Sequence, residues 1–297
     1  MSDPLSFVYF GGRVIPAGEA HLPVDDRGVL YGLGFFETFR TSGGRPHLWP
    51  YHLRRLTESC AVAGFALPAS SLATDPARLQ SAIDALLDYW TTTSRPLHDA
   101  VFRYTLTAGP VGGAPAEFLT TRPLPPEPPS DGIALHVLDL LRDSGEWLPR
   151  PKSLAYANAL LGVEELARRA TSPHDEGLFL SRAGRFVVET PRQNLAWFVG
   201  GRLCYPDPAL GAVAGTTLAW VLATGGLTVE PCCALLDELL DADAVIVMNA
   251  VRGITPVKEI WGAAARGPLW AFASAAHLGV AALQACWAEA LRTTATA

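Results

Sequence analysis

Asp26-Arg27-Gly28-Val29-Leu30-Tyr31-Gly32-Leu33-Gly34-Phe35-Phe36-Glu37-Thr38-Phe39-Arg40 leads into Gly43-Gly44-Arg45. The aromatic and β-branched run Phe35 to Arg40 suits a strand, and two adjacent glycines suit a hairpin turn whose central residues take positive φ. The same device occurs upstream, where Phe7 to Phe10 and Val14-Ile15 flank Gly11-Gly12-Arg13. It occurs again downstream, where Leu195 to Phe198 and Leu203 flank Gly200-Gly201-Arg202. Recurrent hairpin chemistry accounts for these turns better than an internal repeat does.

Outward from that stretch, Tyr51 to Gly64 and Pro76 to Trp90 carry helical spacing, and Ala100 to Thr107 reads as a strand. Proline is dense from Ala114 to Gly132, notably Pro123-Leu124-Pro125-Pro126-Glu127-Pro128-Pro129. Such a segment can neither continue a helix nor sit inside a sheet, so residues 116–131 are expected to link two domains. Beyond it, strands and short helices alternate: Ile133 to Leu138, Ala157 to Arg169, Gly177 to Ser181, Phe186 to Glu189, Thr216 to Thr224 and Ala244 to Val247. The expectation is a small α+β domain over 1–115 and a larger, β-rich domain with outer helices over 132–297. The alanine-rich stretch Trp270 to Leu291 is interrupted by Ser274, His277, Gln284 and Glu289 and reads as a terminal helix facing the core rather than a membrane span.

The 297 residues are 49% hydrophobic and 18% charged, with a formal net charge of -6. This balance fits a folded enzyme and argues against sequence-independent binding to nucleic acid. The start, Met1-Ser2-Asp3-Pro4-Leu5, lacks the basic and apolar stretches of a signal peptide. Cys60, Cys204, Cys232, Cys233 and Cys286 show no metal-like spacing, and reduced thiols in a cytoplasmic protein are expected.

Only two lysines, Lys152 and Lys258, stand among 21 arginines. Where chemistry needs a primary amine, a guanidinium cannot serve, so these two form the short list. Lys152 follows Pro149-Arg150-Pro151 and precedes a predicted helix; it is either a solvated surface lysine or a Schiff-base amine. Glu189 ends an expected strand, as a rim charge or as a carboxylate facing a ring nitrogen. Gly211-Ala212-Val213-Ala214-Gly215-Thr216-Thr217 opens a helix. Small residues and hydroxyls there suit either capping or a phosphate, because free N–H groups and the helix dipole point outward.

The Asp26–Arg40 stretch closely resembles the N-terminal signature of the class IV aminotransferases, fold type IV of the pyridoxal-phosphate enzymes. The resemblance continues through His52-Leu53-Arg54-Arg55-Leu56, the Lys152 segment, Glu189 to Asn194, Gly211 to Thr217, and Asn249-Ala250-Val251-Arg252-Gly253-Ile254-Thr255-Pro256-Val257. It implies that pyridoxal 5′-phosphate joins Lys152, which also shuttles protons. It implies that Arg55 binds the phosphate, Tyr156 the pyridoxal 3′ oxygen and Glu189 the pyridine nitrogen, with Asn194 in the Glu189 block. Thr216, Thr217 and the Ala250 backbone N–H complete the phosphate cup; many members have Ser or Thr at the Ala250 position. A homodimer acting on a small molecule, away from membranes, is implied too.

Within that family the residues lean toward 4-amino-4-deoxychorismate lyase, which yields 4-aminobenzoate and pyruvate for folate. Thr38 stands where the lyases have a hydroxyl near the reacting carbon, and Asn249-Ala250 resembles the lyases' Asn-Ala pair. Tyr31, Phe36 and Arg103 are the candidate substrate-binding residues. Ala108 and Ala155 depart from the common residues at their positions. An aminotransferase of branched-chain or D-amino acids with 2-oxoglutarate is the alternative, and a non-catalytic cofactor-binding homologue is the third reading.

Overall fold

Two glycines at positive φ close each expected hairpin. β1 (Phe7–Phe10) and β2 (Arg13–Pro16) pair antiparallel, with Phe10 opposite Arg13 across Gly11 (φ 59°) and Gly12 (φ 85°). The computed structural model describes residues 6–93, 96–143, 150–224, 226–263 and 267–296. The N-terminal stretch Met1–Leu5 and Pro149 of the sequence reading lie outside them.

The decisive stretch forms α1 (Arg27–Tyr31) and β3 (Gly34–Ser42). Buried Asp26 caps α1 by accepting from the Gly28 N–H at 2.6 Å, and its other oxygen accepts from Thr107 Oγ1 at 2.6 Å. Gly32, at φ 68°, ends the helix in the left-handed region, against the Ala155 backbone. β3 turns through Gly43-Gly44 into β4 (Arg45–Pro46). Then follow α2 (Trp49–Val62), α3 (Pro76–Thr93), β5 (Ala100–Thr107) and β6 (Glu117–Pro123).

These strands make a six-stranded sheet in the order β2-β1-β6-β5-β3-β4. Phe35, Phe39, Phe102, Tyr104 and Leu119 on one face pack with Leu56 of α2 and Leu79, Ile83 and Leu86 of α3. Each such side chain contributes about 2 kcal/mol of burial. The alternate residues of β3, Phe36, Thr38 and Arg40, belong to the other face. Strand β6 lies inside the expected linker: only its last residue is proline, and its backbone pairs with β5 and β1. One compact unit comprises 1–125, 152–155 and 289–297, and the second comprises 126–151 and 156–288. The passage from one to the other thus falls at Pro125-Pro126, within the proline run.

The second unit contains β7 (Ile133–Val137), α4 (Ala157–Ala167), β8 (Glu176–Leu178), β9 (Asn194–Val199), β10 (Arg202–Pro206), α5 (Thr216–Thr224), β11 (Val229–Cys232), α6 (Leu236–Leu240), β12 (Ala244–Asn249), β13 (Gly253–Trp261) and β14 (Pro268–Ala271). Its eight-stranded mixed sheet runs β11-β10-β9-β12-β13-β7-β8, with β14 beside β13. β9 and β12 are buried along nearly their whole length, which is why they read as continuous apolar runs. Phe186 to Glu189, expected as a strand, makes isolated bridges instead, Phe186 to Leu235, Val187 to Leu180 and Glu189 to Asn194, because its partners come from separate segments. The terminal helix also starts later than expected. Trp270 pairs with Ile260 in β14, Ser274–Ala276 form one 3-10 turn, and α7 covers Leu278–Thr296. Among the described residues no helix is long and apolar enough to cross a membrane.

Candidate active site

In the first unit, Lys152 is placed by its own backbone. Its carbonyl accepts from the Phe36 N–H at 3.0 Å, Leu154 N–H donates to Gly34 O at 2.9 Å, and Ser153 bridges Phe35. The segment thereby lies along the start of β3, and the Lys152 Nζ stands 4.6 Å from the centre of the Phe36 ring. The Arg103 guanidinium also lies over that ring, at 3.6 Å. Such contacts suit a cation held beside an aromatic quadrupole. Thr38, two residues beyond Phe36 and so on the same face of β3, sits opposite Arg103 in the register of β3 and β5. The structure therefore groups Lys152 and Arg103 around Phe36, with Thr38 on the same face, four residues that the sequence singled out. Tyr31 ends α1 and is 74% exposed.

Glu37, between Phe36 and Thr38, points to the opposite face and meets α2. His52 and Arg55 stand three apart on that helix, so both reach the one carboxylate. His52 Nδ1 lies 2.6 Å from Glu37 Oε2, Arg55 Nε donates to Oε1 at 2.8 Å, and Arg55 Nη2 pairs with Oε2. Burial pushes the Glu37 carboxyl up, but Arg55 and His52 outweigh it and hold the group down at about 2. The His52 ring is lowered by burial, by the Arg55 charge and by the Lys152 charge, against the pull of Glu37. Arg55, the expected phosphate ligand, is thus a buried, oriented fork. Glu37 and His52 had no role in the sequence reading, although an acid alternating with aromatics and a histidine three residues before an arginine were the available signals.

In the second unit, Glu189 is buried and both of its oxygens have partners. Arg142 Nε donates to Oε1 at 3.0 Å and Arg142 Nη2 pairs with the same oxygen. Oε2 accepts from the Val213 N–H at 3.0 Å and from Asn194 Nδ2 at 3.5 Å. Asn194 Nδ2 also donates to Val213 O at 2.9 Å, and Arg142 Nη1 donates to Asn158 Oδ1 at 2.7 Å. Asn194 therefore positions Glu189. Arg142 was not legible: 47 residues separate it from Glu189, and no motif joins them. Nearby, Tyr156 donates its hydroxyl to Pro191 O at 2.9 Å.

The phosphate candidates lie at the start of α5, whose first backbone bond runs from the Ala219 N–H to Gly215 O. The N–H groups ahead of it are the ordinary orphans of a helix start. Thr216 and Thr217 are buried, and Thr217 Oγ1 has no hydrogen-bond partner among the described residues. Thr255 Oγ1 on β13 is orphaned likewise. Buried unsatisfied hydroxyls are costly, and a phosphate accepting from them removes that cost. Thr216, Thr217 and the N–H groups at the start of α5 fit the phosphate of pyridoxal phosphate. Ala250 is buried at the turn after β12, where Asn249 Oδ1 accepts from the Val251 and Arg252 N–H groups at 3.0 and 2.8 Å.

Of the other two departures from the family pattern, Ala108 is buried and its carbonyl accepts from Arg27 Nη2 at 2.6 Å, so a backbone contact occupies that position. Ala155 packs on Gly32, where a larger residue would press on the end of α1.

Residues 34–260 match the model of the family described as amino-transferase class IV. A Methanocaldococcus jannaschii protein carrying the provisional name branched-chain-amino-acid aminotransferase is 30% identical over 269 residues, covering 86% of this chain and 88% of that one. The aminodeoxychorismate lyase of Bacillus subtilis is 27% identical over 266 residues, covering 85% and 86%. The crystal structure of 4-amino-4-deoxychorismate lyase from Pseudomonas aeruginosa superimposes with a TM-score of 0.77 at 26% identity, covering 95% of this chain and 98% of that one. With a family match over most of its length, the chain belongs to the class IV aminotransferases, enzymes that work with pyridoxal phosphate.

Proposed function

We propose that this enzyme is a 4-amino-4-deoxychorismate lyase, converting its substrate to 4-aminobenzoate and pyruvate. The observation that carries the reading is the hydroxyl of Thr38, set opposite Arg103 and two residues from the Phe36 ring that the Lys152 amine overhangs. Arg40 and Arg122 share that sheet face by register, so a cationic surface surrounds the hydroxyl. This suits a substrate with two carboxylates better than a branched aliphatic one.

Bound pyridoxal phosphate supplies an electron sink for the carbanion formed at the substrate. Lys152 Nζ takes the proton from substrate C4. The enolpyruvyl C–O bond then breaks as the ring aromatises, and the Thr38 hydroxyl gives the proton that completes pyruvate and is restored from solvent. Arg103 orients a substrate carboxylate. Arg55, held by Glu37, and Thr216, Thr217 and the Ala250 N–H would hold the phosphate, Tyr156 would serve the 3′ oxygen and Glu189 the ring nitrogen. We infer a cytoplasmic homodimer as well; the exposed Val29, Leu30 and Tyr31 on α1 suit burial against a second copy.

The 30% identity to a protein with an aminotransferase name supports the second reading, a transaminase. One paired assay separates the two. Chorismate with an amination system is expected to yield 4-aminobenzoate and pyruvate, while D-alanine or leucine with 2-oxoglutarate yields nothing comparable; turnover of the amino acids alone overturns the lyase assignment. Lys152→Ala is expected to abolish turnover and to leave nothing for borohydride to fix, and native turnover by this variant overturns the whole scheme.

A further inference from the structure

β10 and β11 pair in parallel at the edge of the second unit's sheet, and their register sets Cys204 opposite Glu230 and Pro206 opposite Cys232. Glu230 and Cys232, two apart on β11, share one face, and in a parallel pair the side chain of Cys204 shares it with them. The two thiol sulfurs and a carboxylate oxygen of Glu230 lie within 4.8 Å of one another. Cys204 is buried against the sheet core, Cys232 is half-buried, and Glu230 is exposed.

We propose that Cys204, Cys232 and Glu230 form a binding site for a zinc-like divalent cation, with water in the fourth position. Zinc takes thiolate and carboxylate ligands at about 2.3 and 2.1 Å in a tetrahedron, which sets neighbouring ligand atoms roughly 3.5–3.8 Å apart. The present spacing closes to that by small side-chain rotations. Two thiolates and a carboxylate leave the zinc complex with one net negative charge. Arg202 Nη1, 2.9 Å from Glu230 Oε2, supplies the balancing cation and fixes the carboxylate, as outer partners of metal ligands do.

A disulfide is the other use for two close thiols, and the register opposes it. Diagonal positions on neighbouring strands have Cα atoms about 7–8 Å apart, beyond the roughly 4.4–6.8 Å that a disulfide spans. Burial and the neighbouring Cys204 and Glu230 push the Cys232 thiol up to about 12. A bound cation displaces the thiol protons and staples the edge strand β11 to β10.

The test uses the native holoenzyme and zinc or cadmium ions alone. One equivalent of Zn2+ is expected to protect two of the five thiols from a thiol reagent, and Cd2+ is expected to give a thiolate charge-transfer band. Cys204→Ser and Cys232→Ser should each weaken Zn2+ binding by more than about tenfold, and Glu230→Gln by less. Cys233→Ser and Cys286→Ser should leave it unchanged, and retained cofactor absorbance identifies folded variants. Zn2+ that protects no thiols, or binding that survives in a folded Cys204→Ser/Cys232→Ser double variant, overturns the site.

Discussion

Glu189, with 3% exposure, is met directly by Arg142 and by two N–H donors at its second oxygen, and a buried carboxylate depends on such partners. Removing the cation should therefore cost more than the bonds it makes. Arg142→Met is expected to destabilise the protein by about 3–5 kcal/mol, read from urea unfolding of the apoprotein. Arg142→Met with Glu189→Gln should recover most of that loss, since no buried charge is left alone. If the single variant unfolds at the native midpoint, the pair is not structural. Glu37 follows the same logic through Arg55 and His52. These ties were not legible residue by residue: Glu189 and Arg55 stood in motifs, but what holds each in place comes from side chains with no pattern of their own. Lys152 stood out in the sequence because lysine is scarce here and a guanidinium cannot replace a primary amine.

At the scale of elements, the turns were the most readable feature. Gly-Gly between aromatic or β-branched strands admits one local solution, and Gly200 and Gly201, at φ 54° and 78°, repeat it in the second unit. The terminal helix and the Phe186–Glu189 strand were misread because pairing with distant segments, not local preference, decides them. Two glycines separate conformational strain from crowding. A Cβ on Gly12 meets nothing within 4 Å, so Gly12→Ala should cost only the left-handed strain, about 1–2 kcal/mol. On Gly215 a Cβ collides with the Asn194 side chain, which holds Glu189 and Val213. Gly215→Ala is expected to lose about 1–3 kcal/mol and, unlike Gly12→Ala, to weaken cofactor binding, measured by titrating the apoprotein with pyridoxal phosphate.

The whole molecule answers to pH through its buried histidines. Burial and the charges of Arg40 and His52 lower His47 from 6.5 to about 4, and His52 moves in the same direction. An unfolded histidine binds a proton between these values while the folded one does not, so the unfolded state gains protons there and stability rises with pH. The stabilisation is whole above about pH 6.5 and is lost as pH falls toward 4; Glu37 adds a further loss as pH falls from its ordinary 4.5 through about 2. His47→Gln should flatten the unfolding midpoint between pH 6.5 and 4, and an unchanged slope would show that His47 does not contribute. His47 Nδ1 lies 2.8 Å from Thr294 Oγ1, and Ser42 Oγ donates to Leu291 O at 2.9 Å, so the last helical turns serve the first unit. The chain leaves that unit after Pro125, returns for Lys152–Ala155, and returns again for Glu289–Ala297. On the ribosome, the half that emerges first is therefore finished after its sister half, and its Lys152 segment arrives only once some of that sister half has already been made.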